Sequence, residues 1–392
     1  MTPELTPSHA LPHDADQALL IGRVWQPGSG PVLVQVRPDG VYDLSLVATT
    51  CSELLDRTDR VEAVRAHRGS RVGDLAQLLA NSDPAARQAN QPWLLAPCDL
   101  QALKAAGVTF VASMLERVIE EQARGDASKA AAVRAAVVAI MGENLSAVKP
   151  GSEQAAQLKQ ALLAQGAWSQ YLEVGIGPDA EVFTKSQPMS AVGTGAEVGL
   201  HPASEWNNPE PEIVLAVNSR GEVVGATLGN DVNLRDFEGR SALLLGKAKD
   251  NNGSCAVGPF IRLFDPHFDI EHVRRCDLSM EVRGPEGFVM QGSSSLSMIS
   301  RDPLDLVAQA MGSTHQYPDG MMLFLGTMFA PTQDRPIPGR PAGQGFTHVV
   351  GDVVRISTPL LGTLVNRVNT SDRIPAWTYG VRALMQDLRR RA

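Results

Sequence analysis

The sequence has few cysteines and no long hydrophobic run, and both absences exclude classes of protein. The cysteines Cys51, Cys98, Cys255 and Cys276 lie far apart and form no Cys-x-x-Cys pair, so neither a disulfide framework nor a zinc knot is indicated. No apolar segment reaches the length of about 18 residues that a membrane span needs. The N-terminal segment lacks a basic stretch followed by an apolar run, as a signal peptide would have. We therefore expect a cytoplasmic protein with reduced thiols and no membrane partner.

The sequence also lacks an excess of basic residues. Its Lys and Arg residues number 35 against 43 Asp and Glu, which gives a formal net charge of -8. Because nucleic-acid binding depends on clustered Lys and Arg, we expect no nucleic-acid partner. The histidines form no His-x-x-x-His or His-Glu-x-x-His motif, and the run Gly292–Ser297 does not match Gly-x-Ser-x-Gly. Zinc-protease and serine-hydrolase functions therefore have no motif to support them.

What is present divides the chain near residue 172. Residues 1–50 alternate short apolar runs with Gly-Ser-Gly and Pro-Asp-Gly turns, a pattern typical of strands. Residues 114–172 are rich in Ala, Glu, Gln and Lys, which favours helices, and strand and turn patterns follow. We predict an α+β protein with an N-terminal α/β domain over residues 1–172, which contains a helical lid segment, and a β-rich catalytic domain over residues 173–392.

The most informative segment runs from residue 209 to residue 231. Pro-Glu-Pro-Glu is followed by an apolar run, an Asn-Ser-Arg-Gly turn and a second apolar run, which predicts a β-hairpin. Since residues two apart share a strand face, Glu210 and Glu212 point to the same side. The opposite side carries Ile213, Leu215 and Val217.

Closure of this hairpin over Ser219 and Arg220 would place Asp231 near position 208, on the face of the two glutamates. Three carboxylates that converge repel one another unless a proton or a cation intervenes. A set of oxygen ligands is the preference of Mg²⁺ or Mn²⁺. The alternative is a solvated strand edge, which is the more usual setting of alternating glutamates.

Polar residues accumulate where the second strand of the hairpin should end, and strand ends and loops are where sites are built. Lys249 follows an apolar run beyond this point, and a lysine beside a metal site suits a group that binds a substrate anion or exchanges its proton. Arg235 fits either an ion pair with Asp236 or Glu238 or a contact to substrate. These residues favour the metal site over the solvated edge.

Several motifs, in order along the chain, resemble the fumarylacetoacetate hydrolase superfamily. They are Phe183-Thr-Lys185, the Glu-x-Glu hairpin with its following Asp, Gly326-Thr327, Gly351-Asp352-Val353 and Gly362-Thr363. The resemblance covers residues 99–368. It implies the mixed β-roll or sandwich fold of that superfamily for the C-terminal domain. It also implies a homo-oligomer, and it leaves dimer and tetramer open.

The resemblance implies roles for single residues as well. Glu210, Glu212 and Asp231 match the metal ligands of the family, with Mg²⁺ as the expected ion and Mn²⁺ as a possible substitute. Lys249 matches its active-site lysine. Arg235 and Thr327 match positions that contact or support the substrate, and Lys185 is a further candidate for substrate binding.

The resemblance fails at one informative position. Carbon–carbon hydrolases of the superfamily typically carry Gly-x-Asn-Tyr-x-x-His-x-x-Glu, whose His and Glu activate water. The corresponding stretch here runs from Gly107 to Glu116, with Ser113 in place of the His. Serine cannot act as a general base unaided, so we assign Ser113 to substrate binding. Glu116 is retained, but the loss of the His puts hydrolysis in doubt.

The chain, including the phrase LLAPCDLQALKAAGVTF, is most similar to the sugar-acid dehydratase branch. We therefore predict a metal-dependent dehydratase of pentose oxidation. It would convert 2-keto-3-deoxy-D-pentonate (xylonate or arabinonate), a small anionic 2-keto acid, to 2-oxoglutarate semialdehyde by enolisation and β-elimination of water. Lys249 and Glu116 are the candidate base and acid, and which of them takes which proton stays open. An acylpyruvate or 2,4-diketo acid hydrolase and a non-catalytic metal-binding protein are the alternatives.

Overall fold

The computed structural model describes residues 4–130, 132–134, 148–164, 168–329 and 331–391. Strands and helices are both abundant over these ranges, and the predicted α+β class is confirmed. Within these ranges, no helix has the length and apolar character needed to cross a lipid bilayer. Residues 135–147 and 165–167 of the predicted helical lid segment lie outside the described residues.

The strands are numbered in chain order. They are β1 Leu20–Gln26, β2 Gly30–Arg37, β3 Gly40–Asp43, β4 Arg71–Gly73, β5 Trp93–Leu95, β6 Ala102–Gly107, β7 Glu181–Ser186, β8 Glu197–Leu200, β9 Asn207–Asn208, β10 Pro211–Val217, β11 Val223–Asp231, β12 Asn233–Leu234, β13 Cys255–Leu263, β14 Asp277–Arg283, β15 Val289–Ser295, β16 Met321–Phe324, β17 Val353–Thr358 and β18 Gly362–Thr370.

The helices are numbered in the same way. They are α1 Pro7–Ala10, α2 Cys51–Asp56, α3 Arg60–Ala66, α4 Leu75–Ser82, α5 Val111–Ala123, α6 Glu153–Ala164, α7 Gln170–Ile176, α8 Arg235–Glu238, α9 Leu245–Lys249, α10 Ile270–Arg274, α11 Pro303–Ala310 and α12 Val381–Arg391.

One large sheet holds the N-terminal strands together with the predicted carboxylate hairpin, β10–β11. Its order is β4-β3-β2-β1-β13-β11-β10-β16-β6-β7, and β5 pairs separately with β1. The sheet is mainly antiparallel, but β16 pairs in parallel with β6. Strands from both sides of residue 172 therefore share one hydrogen-bonded sheet. The division into two domains at that residue stays a prediction.

A second sheet packs against the first through an apolar core. Its order is β15-β14-β17-β18-β8. The core joins Ile213 and Leu215 of the large sheet to Met280, Val282 and Ile356 of the smaller one, all of them buried. Burying side chains of this size contributes roughly 1.5–3 kcal/mol each. This double layer agrees with the predicted β-rich fold.

Helix α5 packs beside the carboxylate hairpin and presents two different faces. Its apolar residues, such as Val118 and Ile119, join a separate cluster with α7 and Trp206. Its charged residues Glu116, Arg117 and Glu120 are also buried, and they lie toward the hairpin. The helix ends at Arg124, which takes the left-handed conformation and donates its N–H to the carbonyls of Glu120 and Glu121, a usual way for a helix to stop.

The hairpin forms as predicted, but its register differs by two residues. Glu212 lies opposite Gly229, and the N–H of Asp231 donates to the carbonyl of Glu210 at 3.0 Å. Asp231 is therefore opposite Glu210 and not opposite position 208. Because side chains alternate with a period of two, a shift of two residues leaves Asp231 on the expected face.

The turn explains the difference in register. The strands do not close over Ser219 and Arg220 alone, because the N–H of Asn218 bonds to the carbonyl of Glu222 at 3.0 Å. Gly221 supplies a positive φ of 79° inside this turn, which glycine adopts at little cost. The register also shifts by one residue after Ala216. The longer turn moves the pairing away from a two-residue closure.

The same register continues beyond the carboxylates. The short strands β9 and β12 pair with each other, and Asn208 lies opposite Asn233. By the alternation of a strand, Asn208 and Asn233 fall on the face that carries Glu210 and Asp231.

Candidate active site

The three predicted metal-ligating carboxylates meet in the structure. Glu210, Glu212 and Asp231 are each 1% exposed, and each offers an oxygen that lies within 4.8 Å of the oxygens of the other two. A solvated acidic edge is the wrong description of this segment, because all three side chains are enclosed.

The chemistry of this triad fits a hard divalent cation. All three donors are carboxylate oxygens, as Mg²⁺ and Mn²⁺ prefer. Oxygens bound to one Mg²⁺ at about 2.1 Å lie at most about 4.2 Å apart. A small inward movement of the side chains would therefore bring all three into coordination range of a single ion.

Charge is distributed unevenly within the triad. Burial disfavours the charged form of Glu210, but Arg117 and Lys249 outweigh burial and lower the pKa of this carboxyl to about 2. Burial raises the pKa of Glu212 well above its ordinary value, and the charges of Asp231 and Glu210 raise it further. A divalent cation between the three side chains would relieve this repulsion.

The predicted Gly326-Thr327 motif supports Glu212. The N–H of Gly326 donates to Oε2 of Glu212 at 2.7 Å, and the hydroxyl of Thr327 donates to Oε1 at 3.3 Å. Gly326 has a φ of 100°, and a Cβ there would lie 2.0 Å from Oγ1 of Thr109, so a side chain at 326 would strain the turn. Thr327 thus contacts Glu212, a candidate metal ligand. Contact of Thr327 with substrate stays a prediction.

Two buried lysines contact the triad. Nζ of Lys249 lies 2.5 Å from Oε2 of Glu210 and 3.0 Å from Oδ2 of Asp231. Nζ of Lys185 lies 2.9 Å from Oδ1 of Asp231 and donates to the carbonyls of Val232 and Lys249. Lys185 is thereby placed to hold Asp231. Its binding of substrate stays a prediction.

The electrostatics of Lys249 favour a permanent positive charge. Burial lowers the pKa of Lys249, but the charges of Asp231 and Glu210 outweigh burial and raise the pKa above its ordinary value. A lysine that keeps its proton is suited to stabilising an anion and poorly suited to removing a proton. The catalytic role of Lys249 stays a prediction.

Arg117 of α5, which the sequence analysis does not single out, links the helix to the triad. Its guanidinium contacts Oε1 of Glu210, and its Nη1 lies 2.6 Å from Oε2 of Glu120 and 2.9 Å from Oε2 of Glu238. Burial opposes the charge, but these three carboxylates raise the pKa of Arg117 well above its ordinary value. Three acidic partners explain how this arginine is accommodated in the interior.

The ion-pair partners expected for Arg235 are wrong. Its guanidinium contacts neither Asp236 nor Glu238 and reaches instead across to α5, 3.0 Å from Oε2 of Glu116 and 2.6 Å from Oε1 of Glu120. Asp236 is adjacent to Arg235 on the short helix α8, and adjacent residues of a helix do not face each other. Glu238, three residues after Arg235, is paired with Arg117 instead. Contact of Arg235 with substrate stays a prediction.

Glu116 is held by two arginines. Arg134 contacts both of its carboxylate oxygens, one of them at 2.8 Å, and Arg235 contacts Oε2. Burial raises the pKa of Glu116, but hydrogen bonds and charge from Arg134 and Arg235 lower it below the ordinary value. A carboxylate that is ionised and paired has no proton to donate at neutral pH. These contacts favour a structural role, and the catalytic role of Glu116 stays a prediction.

Ser113 lies in the first turn of α5 and is buried. Its hydroxyl donates to the carbonyl of Phe110 at 3.0 Å, a local bond within the helix. Substrate binding by Ser113 stays a prediction.

A further carboxylate at the site, Glu181, is missing from the sequence-based candidates. Glu181 begins β7 opposite Gly107 of β6. Its carboxyl group fills the space over that glycine, since a Cβ at residue 107 would lie 1.9 Å from Oε2 of Glu181. Burial raises the pKa of Glu181 to about 7, and the charge of Glu238 adds to this rise.

A pattern in the sequence could have identified Glu181. Residues two apart share a strand face, so Glu181 and Phe183 of the Phe-Thr-Lys motif point to the same side of β7. Nζ of Lys249 lies 5.6 Å from the centre of the Phe183 ring. Glu181 shares the face of Phe183, and Phe183 lies near Lys249, a predicted site residue. Glu181 therefore faces the site.

This chain is similar in sequence and in fold to known proteins. The family model described as "Fumarylacetoacetate (FAA) hydrolase C-terminal" matches residues 167–369, just over half of the chain, and this span includes the whole triad. A 2-dehydro-3-deoxy-D-arabinonate dehydratase of Saccharolobus solfataricus is 28% identical over 194 residues. A protein of Haloferax volcanii named "Probable 2-keto-3-deoxyxylonate dehydratase" is 31% identical over 200 residues.

These two alignments cover 50% and 51% of this chain, and 60% and 64% of the two relatives. The chain therefore matches less than two thirds of the length of either relative. Among solved structures, that of a 2-keto-3-deoxy-D-arabinonate dehydratase complexed with magnesium and 2,5-dioxopentanoate has a TM-score of 0.60 and 21% identity, and the match covers 90% of this chain and 99% of that chain. This likeness shows the fold. With the fold and the family model in agreement, the chain belongs to the fumarylacetoacetate hydrolase family.

Proposed function

We propose that this chain is a divalent-metal-dependent dehydratase that converts 2-keto-3-deoxy-D-pentonate to 2-oxoglutarate semialdehyde, which is 2,5-dioxopentanoate. The observation that carries the proposal is the buried triad of Glu210, Glu212 and Asp231, with oxygens within 4.8 Å of one another. The dehydratase names of the two curated relatives and the 2,5-dioxopentanoate bound to the similar structure support the choice of substrate.

A divalent cation at the triad, Mg²⁺ or Mn²⁺, would supply Lewis-acid polarisation of the keto-acid end of the substrate, which acidifies the protons at C3. Loss of a C3 proton and of the C4 hydroxyl removes one water and leaves a carbon–carbon double bond. Transfer of a proton from C5 to C3 then gives an enol with a C4–C5 double bond, and transfer of its O–H proton to C4 gives the aldehyde. The reaction therefore needs a group that can both accept and release a proton near neutral pH.

Glu181 is the residue best suited to this proton transfer. Its pKa of about 7 lets it exchange a proton readily at neutral pH. The nearby Lys249 and Arg117 both keep their positive charge, so each can stabilise the enolate that forms when the proton leaves C3. In this scheme Glu181 takes the role of base, which the sequence analysis leaves open between Lys249 and Glu116.

Hydrolysis of a carbon–carbon bond is supported less well. The position where hydrolases of this superfamily carry His is occupied by Ser113, whose hydroxyl bonds to the carbonyl of Phe110. The Glu of that motif, Glu116, is retained but is paired with Arg134 and Arg235, so the motif lacks the His–Glu pair that activates water.

Incubation of the purified chain with a panel of 2-keto-3-deoxy sugar acids tests the proposal. We expect Mg²⁺-dependent formation of an aldehyde with the loss of one water by mass spectrometry, and no activity in EDTA. The variant Glu212→Gln should lose metal-dependent turnover. Glu222→Gln, on the same hairpin but exposed at 55%, is the matched control and should keep it. Full activity in EDTA, or cleavage into two carbon fragments, would refute the proposal.

A further inference from the structure

Two asparagines beside the triad are buried without the partners that buried amides need. Asn233 is 0% exposed and Asn208 is 1% exposed. In the described part of the chain, both amide atoms of Asn233 and Oδ1 of Asn208 have no hydrogen-bond partner. An unpaired polar group in the interior costs free energy, and native proteins seldom keep one without a reason.

The neighbouring asparagines, Asn207 and Asn230, each have an amide oxygen that accepts a backbone N–H. Oδ1 of Asn230 accepts from the N–H of Glu210 at 3.1 Å, and Oδ1 of Asn207 accepts from the N–H of His348 at 3.2 Å. These two have structural bonds to the backbone. Nδ2 of Asn208 donates to the carbonyl of Pro209 at 2.9 Å, and Nδ2 of Asn230 has no partner within the described residues. Among these four asparagines, Asn233 is therefore the one for which neither amide atom has a hydrogen bond within the described residues.

The sheet register fixes the position of the asparagine pair. Asn208 lies opposite Asn233 in the separate two-stranded sheet β9–β12, and Glu210 lies opposite Asp231 at the adjoining end of the hairpin, where the N–H of Asp231 bonds to the carbonyl of Glu210. One step of two residues along a strand covers about 7 Å. The pair therefore lies one such step from the candidate metal ligands, on their face and away from Glu212.

We propose that Asn208 and Asn233 form a subsite for the C5 oxygen of the substrate, whose keto-acid end lies at the triad. This proposal rests on the proposed function. It adds which group of the substrate the protein recognises, namely the C5 oxygen. A hydroxyl both donates and accepts a hydrogen bond, and an amide side chain offers both complements. The carbon chain beyond C2 spans the step from the triad to the pair, and the C5 oxygen remains in place when it becomes the aldehyde oxygen of the product.

This subsite would select against 2-keto acids with an apolar distal end. When such an acid is bound, the amides would remain unpaired. Buried polar groups discriminate between similar ligands in this way. The residues act on binding and specificity and not on the bonds that break.

Two five-carbon acids test the subsite by calorimetry in the presence of Mg²⁺. 5-Hydroxy-2-oxopentanoate has the distal hydroxyl and 2-oxopentanoate lacks it, and neither has the C4 hydroxyl that dehydration would remove. We expect the wild-type protein to bind the hydroxylated acid about tenfold more tightly. In Asn233→Leu this preference should disappear, while the affinity for 2-oxopentanoate stays within about twofold of wild type.

Thermal unfolding separates this role from a structural one. Replacing an unpaired buried amide by an apolar side chain of similar size should leave Tm unchanged or raise it, whereas loss of a structural asparagine lowers it. This expectation for Tm applies to Asn233→Leu. Asn208→Val is a second variant with the same expected loss of preference, but it also removes the bond from Nδ2 of Asn208 to the carbonyl of Pro209, so its Tm is not part of the comparison. Thr227→Val is the matched control, because the Thr227 hydroxyl is also buried without a partner but lies opposite Val214, on the other side of Asp231.

The outcomes distinguish the subsite from the proposed function. Equal binding of the two acids by the wild-type protein, or a preference that survives in both asparagine variants, overturns the subsite whether or not the protein dehydrates its substrate. A preference that both asparagine variants lose supports the subsite, even if the wild-type protein fails to dehydrate any 2-keto-3-deoxypentonate and the proposed function fails.

Discussion

At the scale of single residues, Arg117 and a metal ion would share one ligand. The guanidinium of Arg117 contacts Oε1 of Glu210, and the same side chain also contacts Glu120 and Glu238. A metal ion at the triad would also be bound by Glu210. The two other carboxylates give Arg117 partners to keep when the contact with Glu210 weakens.

We therefore expect Arg117→Met to change stability and metal affinity in opposite directions. Loss of the guanidinium leaves buried carboxylates without their cation, which should cost about 3–5 kcal/mol of stability in the absence of metal. The affinity for Mg²⁺ should rise, because a competing positive charge is gone. Calorimetric titration with Mg²⁺ measures this, with exposed Arg220→Met as control; an affinity equal to or below that of wild type would contradict the competition.

Glu181 predicts the pH dependence of turnover. A base with a pKa of about 7 is protonated and inactive below that pH, so kcat/KM should increase as pH rises through about 7. Glu181→Gln should lower kcat by at least about 100-fold and abolish this rise, with Mg²⁺ affinity little changed. Steady-state kinetics between pH 5 and pH 9 test the assignment, and the same rise in the residual activity of the variant would count against it.

The sequence predicts some residues of the site and misses others for a physical reason. Glu210, Glu212 and Asp231 belong to one hairpin, where the period of a strand is enough to bring them together. Glu181 and Arg117 come from β7 and α5, and their approach to the hairpin depends on packing between elements that are distant in sequence. The expected ion pairs of Arg235 are wrong because residues close in sequence need not be close in space.

At the scale of elements, the pairing of β6 with β7 places the Glu181 carboxyl group over Gly107, which has no side chain to exclude it. A Cβ on Gly107 would lie 1.9 Å from Oε2 of Glu181. Because the carboxyl group is the free end of a flexible side chain, it can move away without disrupting the strands.

Gly107→Ala should therefore preserve folding and Mg²⁺ affinity while lowering kcat, since it displaces the proposed base. Gly246→Ala is the control, because a Cβ there meets nothing within 4 Å. Kinetics, thermal unfolding and Mg²⁺ titration of both variants make the comparison. Loss of metal binding in Gly107→Ala would show that the strand itself is disturbed.

Elements with strong local signals were predictable, and their registers were less so. The alternation of the hairpin correctly assigned Ile213, Leu215 and Val217 to an apolar cluster and the carboxylates to the opposite face. The register was shifted by two residues because the turn from Asn218 to Glu222 is longer than a two-residue closure. Turn length depends on local bonds that residue type alone does not determine.

At the scale of the whole molecule, the large sheet crosses the predicted domain boundary. β1 borders β13, and β6 lies between β16 and β7, so both edges of the central hairpin region are covered by N-terminal strands. Nothing in the amino-acid pattern near residue 172 shows this, because pairing between distant strands is set by tertiary packing. The dimer or tetramer implied by the family stays a prediction, which sedimentation measures directly.

A fragment of residues 167–392 should not fold on its own. Removal of the N-terminal strands exposes the edges of β13 and β16, and unpaired edges aggregate. The full chain should unfold in one cooperative transition, and Mg²⁺ at a hundredfold excess over its Kd should stabilise it by about 2.7 kcal/mol. Circular dichroism and calorimetry test both points; a folded fragment that binds Mg²⁺ would instead support two independent domains.

The charges around α5, from the partly exposed Arg134 to the buried hairpin, alternate in sign. Arg134 contacts Glu116, Glu116 contacts Arg235, Arg235 contacts Glu120, and Glu120 contacts Arg117, which reaches the first carboxylate of the hairpin. Removing one of these residues leaves an oppositely charged neighbour unpaired in the protein interior, which is destabilising. Over evolutionary time such positions should change together, so a homologue that has lost one of these arginines should also have lost an adjoining acid.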